Sequence, residues 1–289
     1  MGWDSSPAPH VFLLESFNSS ASFKMSSPFI VVPTYRERDN LPRFTWRLWH
    51  AVPEARLLLV DDASGDGTPE WVRAHPKYNT QLFLLERAAK LGLGSAYVAG
   101  FEWVLERHKF DPCTAVVQMD ADLSHDPNSI PALVDALEKA DLVLATRYRE
   151  GVRVTNWPLH RLMLSLGASM YVRMMTGMPF SDPTGGFKAF RPEKLAMLDL
   201  AQVRCDGYAF QIEVTHMAWK LKWNISEVPI VFEDRYAGTS KMSARIVREA
   251  MWRVPWLTLR GRVPARAVAA PKAATGETPG STAIGDKPA

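Results

Sequence analysis

The sequence has almost no cysteine and no long hydrophobic run. Cys113 and Cys205 are the only 2 cysteines among 289 residues, and they form no close-spaced motif. This scarcity argues against a disulfide framework or a zinc site and favours a reducing compartment. No segment supplies the roughly 18 uninterrupted apolar residues that a membrane-spanning helix needs. The apolar stretch Val11–Leu14 is also too short for a secretory signal.

A strong charge of one sign is also missing. The formal net charge is only +3, and no stripe of Arg and Lys alternates with aromatic residues, which argues against nucleic-acid binding. With 47% hydrophobic residues, the chain has an ordinary globular composition. We expect a Ser- and Pro-rich disordered leader over residues 1–26, one folded domain over 27–258, and an Ala-, Pro-, Gly- and Thr-rich disordered tail over 259–289.

Short apolar segments alternate with helical segments through the first half of the chain. The five predicted strands are Phe29–Val32, Leu57–Val60, Leu82–Leu85, Ala115–Val117 and Leu142–Ala145. Because each is almost entirely apolar and a helix follows it, the pattern predicts an α/β fold with a mostly parallel sheet covered on both faces. The second half predicts helices over 157–178, 210–221 and 243–252. It also predicts a strand over 225–232, where Pro229 indicates an edge or a bulge.

Polar clusters follow three of these strands directly. They are Pro33-Thr34-Tyr35, Asp61-Asp62 and Asp120-Ala121-Asp122. The carboxyl ends of parallel strands meet at one edge of a sheet, where ligands bind. Alternation along an extended segment places Asp120 and Asp122 on the same side, as a pair of hard oxygen ligands suited to Mg²⁺ or Mn²⁺ and a diphosphate. A simple turn remains the alternative, because Asp, Ser, His and Pro all favour turns.

An ordered set of motifs resembles a known enzyme family over roughly residues 28–255. Three motifs resemble the nucleotide-sugar half of type-A glycosyltransferases, which have a Rossmann-like fold: Pro33-Thr34-Tyr35-x-Glu37, Val60-Asp61-Asp62-x-Ser64-x-Asp66-Gly67-Thr68 and Leu91-Gly92-x-Gly94-x-Ala96. Further motifs resemble the dolichol- or polyprenol-phosphate mannose synthases: Met119-Asp120-Ala121-Asp122-Leu123-Ser124-His125-x-Pro127, Thr146-Arg147-Tyr148, Trp157-Pro158 with Arg161, Gly185-Gly186-Phe187-Lys188, Gly207-Tyr208-x-Phe210-Gln211-x-Glu213, and Glu227-Val228-Pro229-Ile230 through Arg235-x-x-Gly238-x-Ser240-Lys241-Met242.

The resemblance implies a role for each matching residue. Nucleotide-sugar binding is implied for Pro33, Tyr35, Glu37, Asp62 and Asp120. The divalent metal would be held by Asp120 and Asp122, with Ser124 as a weak further ligand. The catalytic set would be Asp122, Arg147, Arg161, Arg235 and Lys241, in which the basic residues contact the sugar, the acceptor and the phosphate groups. We expect His125 to be a turn residue, and Asp182 and Glu213 to have structural roles. We also expect Asn40 to cap the helix that follows it and Arg191 to be a solvated surface residue.

The implied reaction transfers mannose from GDP-mannose to a dolichyl or polyprenyl phosphate, with inversion at the anomeric carbon. The nucleophile is a phosphate oxygen that is already mostly ionised at neutral pH, so no general base is required. A metal ion would stabilise the departing GDP as a Lewis acid. Guanidinium groups, which bind phosphate oxygens in pairs and stay charged, would offset the repulsion between the two anionic substrates.

A lipid acceptor implies contact with a membrane. Apolar residues of the predicted helix over 157–178 recur at helical spacing: Leu159, Leu162, Met163, Leu166, Met170 and Met174. A basic, tryptophan-bearing segment contains Arg245, Arg248, Trp252, Arg253, Trp256, Arg260 and Arg262. Both favour contact with a membrane surface, and core packing is the alternative for the first. The resemblance is to family members without transmembrane helices, so we expect a cytoplasmic protein at the cytoplasmic face of a membrane, with a possible membrane-anchoring partner protein.

Three other functions compete with this interpretation. A glucosyl- or N-acetylhexosaminyltransferase that uses a UDP-sugar would need the same scaffold, and the mannose assignment depends on the second-half motifs. A dinucleotide-dependent oxidoreductase would need Gly-x-Gly-x-x-Gly after the first strand, where the chain has Pro33-Thr34-Tyr35-Arg36-Glu37-Arg38. An inactive interaction subunit would be expected to lose the aspartate pair or the basic residues, which are all present.

Overall fold

The computed structural model describes residues 27–155, 157–205, 207–233 and 244–259, apart from the side chains of Tyr208 and of residues 244–250. The predicted leader over 1–26 and nearly all of the predicted tail lie outside the described residues. The same is true of two candidate catalytic residues, Arg235 and Lys241.

Through the first half of the chain, strands and helices alternate in the order that the sequence predicts. The elements are β1 (Phe29–Thr34), α1 (Leu41–Ala51), β2 (Arg56–Asp61), α2 (Thr68–Ala74), β3 (Leu82–Glu86), α3 (Leu93–His108), β4 (Val116–Gln118), α4 (Ile130–Ala136), β5 (Leu142–Thr146), α5 (Leu159–Thr176), β6 (Lys188–Phe190), α6 (Pro192–Leu195), α7 (Gly207–Lys220), β7 (Ile225–Pro229) and α8 (Ala244–Leu259). Two short 3₁₀ turns cover Pro127–Ser129 and Leu200–Gln202.

The described strands form one sheet in the order β3-β2-β1-β4-β6-β5-β7. All strand pairs are parallel except those of β6, which runs antiparallel between β4 and β5. The predicted α/β fold with a mostly parallel sheet is therefore confirmed. Pro229 ends β7 at the edge of the sheet, where its missing N–H removes no ladder hydrogen bond, so the edge prediction is also correct.

Apolar side chains on both faces of the sheet are buried beneath helices. On one face Val31, Leu58 and Val60 pack in a cluster with residues of α3 and α7, and on the other Ile30 and Leu57 pack in a second cluster that includes α1 and α4. This two-sided burial explains why the strands are almost entirely apolar. The polar residues at the strand ends are therefore confined to the carboxyl edge of the sheet.

Two polar side chains differ from their expected roles. Asn40 precedes α1, but its side chain makes no capping hydrogen bond. Its Nδ2 instead donates to Glu37 Oε2 at 2.7 Å, so Asn40 orients a candidate site residue. Arg191, expected to be a solvated surface residue, is partly buried and donates from Nε to the carbonyls of Leu137 and Ala140, each at 2.8 Å. It satisfies carbonyl groups at the C-terminal end of α4 that the helix leaves unpaired.

In the part of the chain that the structure describes, none of the helices combines the length and the apolar character that crossing a bilayer requires.

Candidate active site

A cavity of about 250 Å³ opens at the carboxyl edge of the sheet, beside the ends of β1, β4 and β5. Seven of the predicted site residues line it: Pro33, Glu37, Asp120, Asp122, Ser124, Arg147 and Arg161. Tyr35 and Asp62 do not line this cavity. The structure therefore brings together in one place residues from four separate segments of the sequence.

Asp120 is held by the two aromatic residues Tyr97 and His125. The Tyr97 hydroxyl lies 3.1 Å from Asp120 Oδ1 and 3.0 Å from the Met119 carbonyl, and the Asp120 N–H donates to His125 Nδ1 at 3.0 Å. Burial, followed by the charge of Asp120, raises the pKa of Tyr97 well above its usual value, so the hydroxyl keeps its proton. His125 stacks on Phe187 with ring centroids 5.0 Å apart, and is thus a buried positioning residue as well as part of a turn.

Asp122 is fixed by a tight turn at Ser124. Its Oδ1 accepts from the Ser124 N–H at 3.1 Å and from the Ser124 hydroxyl at 2.6 Å. Leu123, between them, has a φ of 64°, a left-handed conformation that is uncommon for a leucine. This backbone turn directs both Asp122 and Ser124 into the cavity lining.

Left-handed backbone recurs in the loops around the cavity. Arg36, Ala63 and Leu123 have φ values of 59°, 56° and 64°, and they lie in the loops that follow β1, β2 and β4. Strained conformations of this kind are retained where the surrounding structure over-determines them, and they cluster at functional sites. Their coincidence with three neighbouring strand ends therefore supports a functional role for this edge.

The charges that line the cavity favour a cation. Among the described residues, three carboxylates (Glu37, Asp120 and Asp122) and two guanidinium groups (Arg147 and Arg161) line it. The guanidinium of Arg147 is already paired with Asp182, so the lining carries excess negative charge that would repel a diphosphate. No group of three His, Cys, Asp or Glu side chains within the described ranges could hold a metal alone. A Mg²⁺-like ion held by two carboxylates and completed by phosphate oxygens fits this set.

Arg147 forms a buried two-point ion pair with Asp182. Nε lies 2.6 Å from Oδ2 and Nη2 lies 2.7 Å from Oδ1, and the Thr184 hydroxyl is 3.1 Å from Nη2. Burial alone would raise the pKa of Asp182, but the charge of Arg147 and its hydrogen bonds outweigh burial and lower it. Asp182 is therefore ionised and structural, as expected, and Arg147 meets the cavity with part of its charge neutralised.

Arg161 lies at the start of α5 and stacks over an aromatic ring. Its guanidinium carbon is 4.1 Å from the ring centroid of Trp157, which is a cation–π distance. The planar guanidinium is thus held at the cavity wall by a flat apolar surface that covers one of its faces.

Asp61 and Asp62 organise the loops beside the cavity. The Asp62 carboxylate pairs with Arg87 at 2.7 Å and accepts from the N–H groups of Leu91 and Gly92 at 3.0 and 2.9 Å. Asp61 Oδ1 accepts from the Thr34 hydroxyl at 3.0 Å, and Oδ2 accepts from the Ser64 N–H at 3.0 Å. Asp62 thereby holds the loop before α3. Asp61 connects the ends of β1 and β2, a role that the sequence did not indicate.

Tyr35 presents an aromatic ring between two basic residues. Lys90 Nζ lies 3.7 Å from the ring centroid and the guanidinium carbon of Arg36 lies 5.4 Å from it. The ring is partly buried. Such a ring beside positive charge is suited to stacking on a nucleobase.

Three residues of the matching motifs, Glu227, Lys188 and Gln211, received no individual role from the sequence. Lys188 and Gln211 are buried, and Glu227 is partly buried. Glu227 Oε1 accepts from the Ser181 N–H at 2.7 Å and hydroxyl at 2.6 Å. Lys188 Nζ donates to the Gln211 carbonyl at 2.6 Å. The available signals were a lysine two residues after a glycine pair, in Gly185-Gly186-Phe187-Lys188, and the polar Gln211 between Phe210 and Ile212 in a predicted helix. Glu213 has the expected structural role, since its Oε2 accepts from the N–H groups of Arg204 and Cys205.

The chain is similar to known proteins over most of its length. Residues 29–198 match the sequence model of Glycosyl transferase family 2. The chain is 42% identical over 240 residues to an undecaprenyl-phosphate mannosyltransferase of Micrococcus luteus, covering 81% of this chain and 97% of that protein. It is 42% identical over 239 residues to a polyprenol monophosphomannose synthase of Mycolicibacterium smegmatis, covering 81% and 88%.

Solved structures show the same fold at much lower identity. Glucosyl-3-phosphoglycerate synthase from Mycobacterium tuberculosis, in complex with Mn²⁺, UDP and phosphoglyceric acid, superposes with a TM-score of 0.59 at 17% identity, covering 82% of this chain and 79% of that chain. Its complex with Mn²⁺, UDP and glucosyl-3-phosphoglycerate gives 0.56 at 18% identity, covering 82% and 80%. The fold is that of the type-A glycosyltransferases. The chain belongs to glycosyl transferase family 2 and, within it, to the family of the polyprenyl-phosphate mannosyltransferases.

Proposed function

We propose that this protein transfers mannose from GDP-mannose to the phosphate of a polyprenyl lipid. The observation that carries the proposal is the meeting of Asp120, Asp122, Arg147 and Arg161 in one cavity of a chain that is 42% identical to enzymes named for polyprenyl-phosphate mannosylation. GDP-mannose is inferred here as the donor.

We infer that Asp120 and Asp122 hold Mg²⁺ or Mn²⁺, with Ser124 beside them. When bound, the ion would act as a Lewis acid that stabilises charge on the diphosphate. The Tyr97 hydroxyl contacts Oδ1 of Asp120, and the Ser124 hydroxyl contacts Oδ1 of Asp122. These two contacts orient the aspartate pair. Glu37, Tyr35, Pro33 and the loop held by Asp62 would surround the nucleoside.

The acceptor phosphate is the nucleophile in this scheme. One of its oxygens forms a bond to the anomeric carbon of mannose while the bond from that carbon to the β-phosphate oxygen breaks. GDP leaves with the electron pair, and the anomeric configuration inverts. Because the second pKa of a phosphate monoester is about 6, no proton needs to be removed in this step. Arg161 would bind the acceptor phosphate, and Arg147 would bind a sugar or phosphate oxygen while Asp182 holds it. Arg235 and Lys241 are proposed further phosphate ligands.

Two exposed apolar helix faces support contact with a membrane surface. On α5, Leu159, Met163, Met170 and Met174 are exposed, with Met174 at 71%, whereas Leu162 and Leu166 are partly buried. On α8, Trp252 is 78% and Trp256 39% exposed. The two helices touch, and the Tyr171 hydroxyl donates to the Met251 carbonyl at 2.8 Å. This combined face suits the interfacial layer of a bilayer, where a polyprenyl phosphate presents its headgroup. A membrane-anchoring partner protein would strengthen this contact with the membrane.

A panel of donors tests the proposal. Purified protein is incubated with a short-chain polyprenyl phosphate in detergent, Mg²⁺ or Mn²⁺, and GDP-mannose, UDP-glucose or UDP-N-acetylglucosamine in turn, and the lipid product is identified by mass spectrometry. The proposal predicts a mannosylated lipid from GDP-mannose and no product from either UDP donor. Product from a UDP donor alone would replace the donor assignment and retain the fold and the metal site.

A further inference from the structure

A buried polar cluster lies beneath the cavity floor and has no part in the scheme above. It consists of Gln118 on β4, Lys188 on β6 and Gln211 on α7. Lys188 is 1% exposed, and its Nζ donates to the Gln211 carbonyl at 2.6 Å and to Gln211 Oε1 at 3.1 Å. Gln118 Nε2 donates to the Gly186 carbonyl at 2.9 Å and also to Gln211 Oε1.

This cluster fixes which way the Gln211 side-chain amide points. Two donors, Lys188 Nζ and Gln118 Nε2, converge on its oxygen. The reversed amide would direct its own N–H groups against those donors, so Nε2 must face the other way. A Cβ placed on Gly186 would lie 3.5 Å from Gln211 Nε2 and 3.8 Å from Asp120 Oδ2, which places the amide nitrogen on the cavity floor beside the aspartate pair.

The Gln211 nitrogen has hydrogen-bonding capacity left for a ligand. No residue in the described ranges accepts a hydrogen bond from Nε2, while the side-chain oxygen and the backbone carbonyl of Gln211 are both used. Nε2 is not among the buried unpaired atoms, so it is accessible from the cavity that Gln211 lines. A ligand that displaces water from this position must accept the hydrogen bond or leave the donor unsatisfied. Gln211 is only 4% exposed, and it lines the cavity, so in the described part of the chain a ligand reaches it from the cavity.

The chemistry of the Gln211 amide indicates which part of the sugar nucleotide it contacts. The amide N–H is a neutral donor, whereas the charged groups of the cavity suit phosphates and a metal ion. We propose that Gln211 is a specificity-determining residue whose Nε2 donates a hydrogen bond to a hydroxyl of the transferred hexose, and that Lys188 and Gln118 are positioning residues that orient its amide. The inference rests on the proposed function, because it needs a sugar nucleotide in this cavity.

The burial of Lys188 fits a positioning role. Burial lowers its pKa to about 7, with Asp182 acting in the opposite direction. Its two described hydrogen bonds both go to Gln211. Burying a lysine in a protein core costs free energy. Here the buried side-chain nitrogen of Lys188 holds the side chain of Gln211 in one orientation.

The first test removes the amide donor. Gln211→Leu is compared with the wild type in its affinity for GDP and for GDP-mannose, both in the presence of Mn²⁺ by calorimetry, and in kcat/KM for GDP-mannose. The loss of one hydrogen bond to a neutral hydroxyl predicts a fall of about tenfold in kcat/KM and in GDP-mannose affinity, with GDP affinity unchanged. An equal loss of GDP and GDP-mannose affinity would assign Nε2 to the diphosphate and overturn the proposal.

Thr215→Val is the matched control for α7. The Thr215 hydroxyl donates to the Gln211 carbonyl at 2.9 Å one turn further along the helix, so this variant disturbs the same backbone and leaves the amide in place. It should melt at a lower temperature than the wild type and retain the wild-type kcat/KM. If Gln211→Leu fails to fold, the unbranched Gln211→Met replaces it, because it has a similar length and also lacks the donor.

A double-mutant cycle tests the positioning role. Lys188→Met frees the Gln211 amide to rotate, so it should lower kcat/KM for GDP-mannose several-fold in the wild-type background and have no effect in the Gln211→Leu background. Additive effects of the two substitutions would show that Lys188 acts through general stability, and would refute the positioning role.

The design separates failure of this inference from failure of the proposed function. If the wild type transfers a hexose from a UDP donor, the donor assignment is wrong, and the same variants measured with that sugar nucleotide and with UDP still test Gln211. If the wild type transfers mannose and Gln211→Leu retains full kcat/KM, the proposed function stands and the inference is wrong.

Discussion

Arg147 and Asp182 form a two-point ion pair that joins the loop after β5 to the segment before β6. The pair has Nε–Oδ2 and Nη2–Oδ1 distances of 2.6 and 2.7 Å, and the side chains are 5% and 0% exposed. Thr184 bridges it, with its hydroxyl 3.0 Å from Asp182 Oδ1. The cavity wall therefore contains a positive group whose position is fixed by a buried carboxylate.

Breaking this pair on one side should destabilise the fold. Asp182→Asn leaves the Arg147 guanidinium buried and without its counter-charge, which predicts a loss of roughly 3–5 kcal/mol in the free energy of unfolding. The double variant Arg147→Met/Asp182→Leu removes both charges and should recover most of that loss while remaining inactive. Urea unfolding measures the free energy of unfolding of each variant, and a separate assay of mannosyl transfer measures its activity. If the double variant recovers activity together with stability, Arg147 has no contact with substrate.

The exposed pair between Arg153 and Glu150 is the control for this comparison. Its atoms are 2.8 Å apart, and the side chains are 39% and 58% exposed. Water and salt screen such a pair, so Glu150→Gln should change the free energy of unfolding by less than about 1 kcal/mol.

The packing of α3 on the sheet depends on a glycine. A Cβ at Gly100 would lie 2.5 Å from Val31 Cγ1 and 3.0 Å from Val60 Cγ2, so Gly100→Ala forces the helix away from the sheet. We predict a loss of about 1–3 kcal/mol in stability, measured by thermal or urea unfolding. Gly167 in α5 has no atom within 4 Å of the same position, so Gly167→Ala should be neutral or stabilising by up to about 1 kcal/mol. Equal effects at both glycines would contradict the observed packing.

His216 should make stability depend on pH. Burial, followed by the charge of Lys220, lowers its pKa from 6.5 to about 4. Between these values the unfolded chain binds more protons than the folded one, so the free energy of unfolding rises with pH, by at most about 1.4 kcal/mol per pH unit. As the pH rises above 6.5, His216 becomes neutral in the unfolded chain as well, and it raises the free energy of unfolding no further. His216→Gln should flatten the curve within this window, and parallel curves for the variant and the wild type would show that His216 does not titrate there.

The exposed tryptophans of α8 should contribute to membrane binding. We predict that the wild type co-floats with vesicles that contain anionic lipid, and that Trp252→Ser/Trp256→Ser floats several-fold less, because interfacial tryptophans are lost. Trp46 on α1 is 66% exposed and belongs to neither α5 nor α8, so Trp46→Ser is the matched control and should float as the wild type does. Equal flotation of all three proteins would exclude α8 as the contact.

The sequence predicted the sheet well because its signals are local. Apolar runs of three or four residues, each followed by a polar loop and a helix, identified β1, β2, β3, β4 and β5 to within one or two residues. The antiparallel placement of β6 could not be predicted, because three residues carry no directional signal and their neighbours come from distant parts of the chain.

Seven of the residues that the sequence proposes for the site line one cavity, whereas most of the contacts between side chains could not be predicted. Asp120 and Asp122 could be found because their spacing and their place after a strand are visible in the sequence. The ion pair between Arg147 and Asp182 joins residues 35 positions apart, and the contact from Lys188 to Gln211 spans 23. Such pairings depend on tertiary packing, as does the left-handed backbone at Leu123, where leucine gives no local indication of it.

Formation of the mannosylated lipid by matched aspartate variants tests the central claim most directly. Wild type, Asp122→Asn and Asp126→Asn are each incubated with GDP-mannose, polyprenyl phosphate and Mn²⁺, and the product is quantified by mass spectrometry. Asp126 lies in the partly exposed turn just beyond the site, where its Oδ1 accepts from the Asn128 N–H at 3.2 Å and from Arg47 Nη2 at 3.1 Å. We predict product from the wild type and from Asp126→Asn, and at least about a hundredfold less from Asp122→Asn and from the wild type in EDTA. Undiminished product from Asp122→Asn would contradict the account.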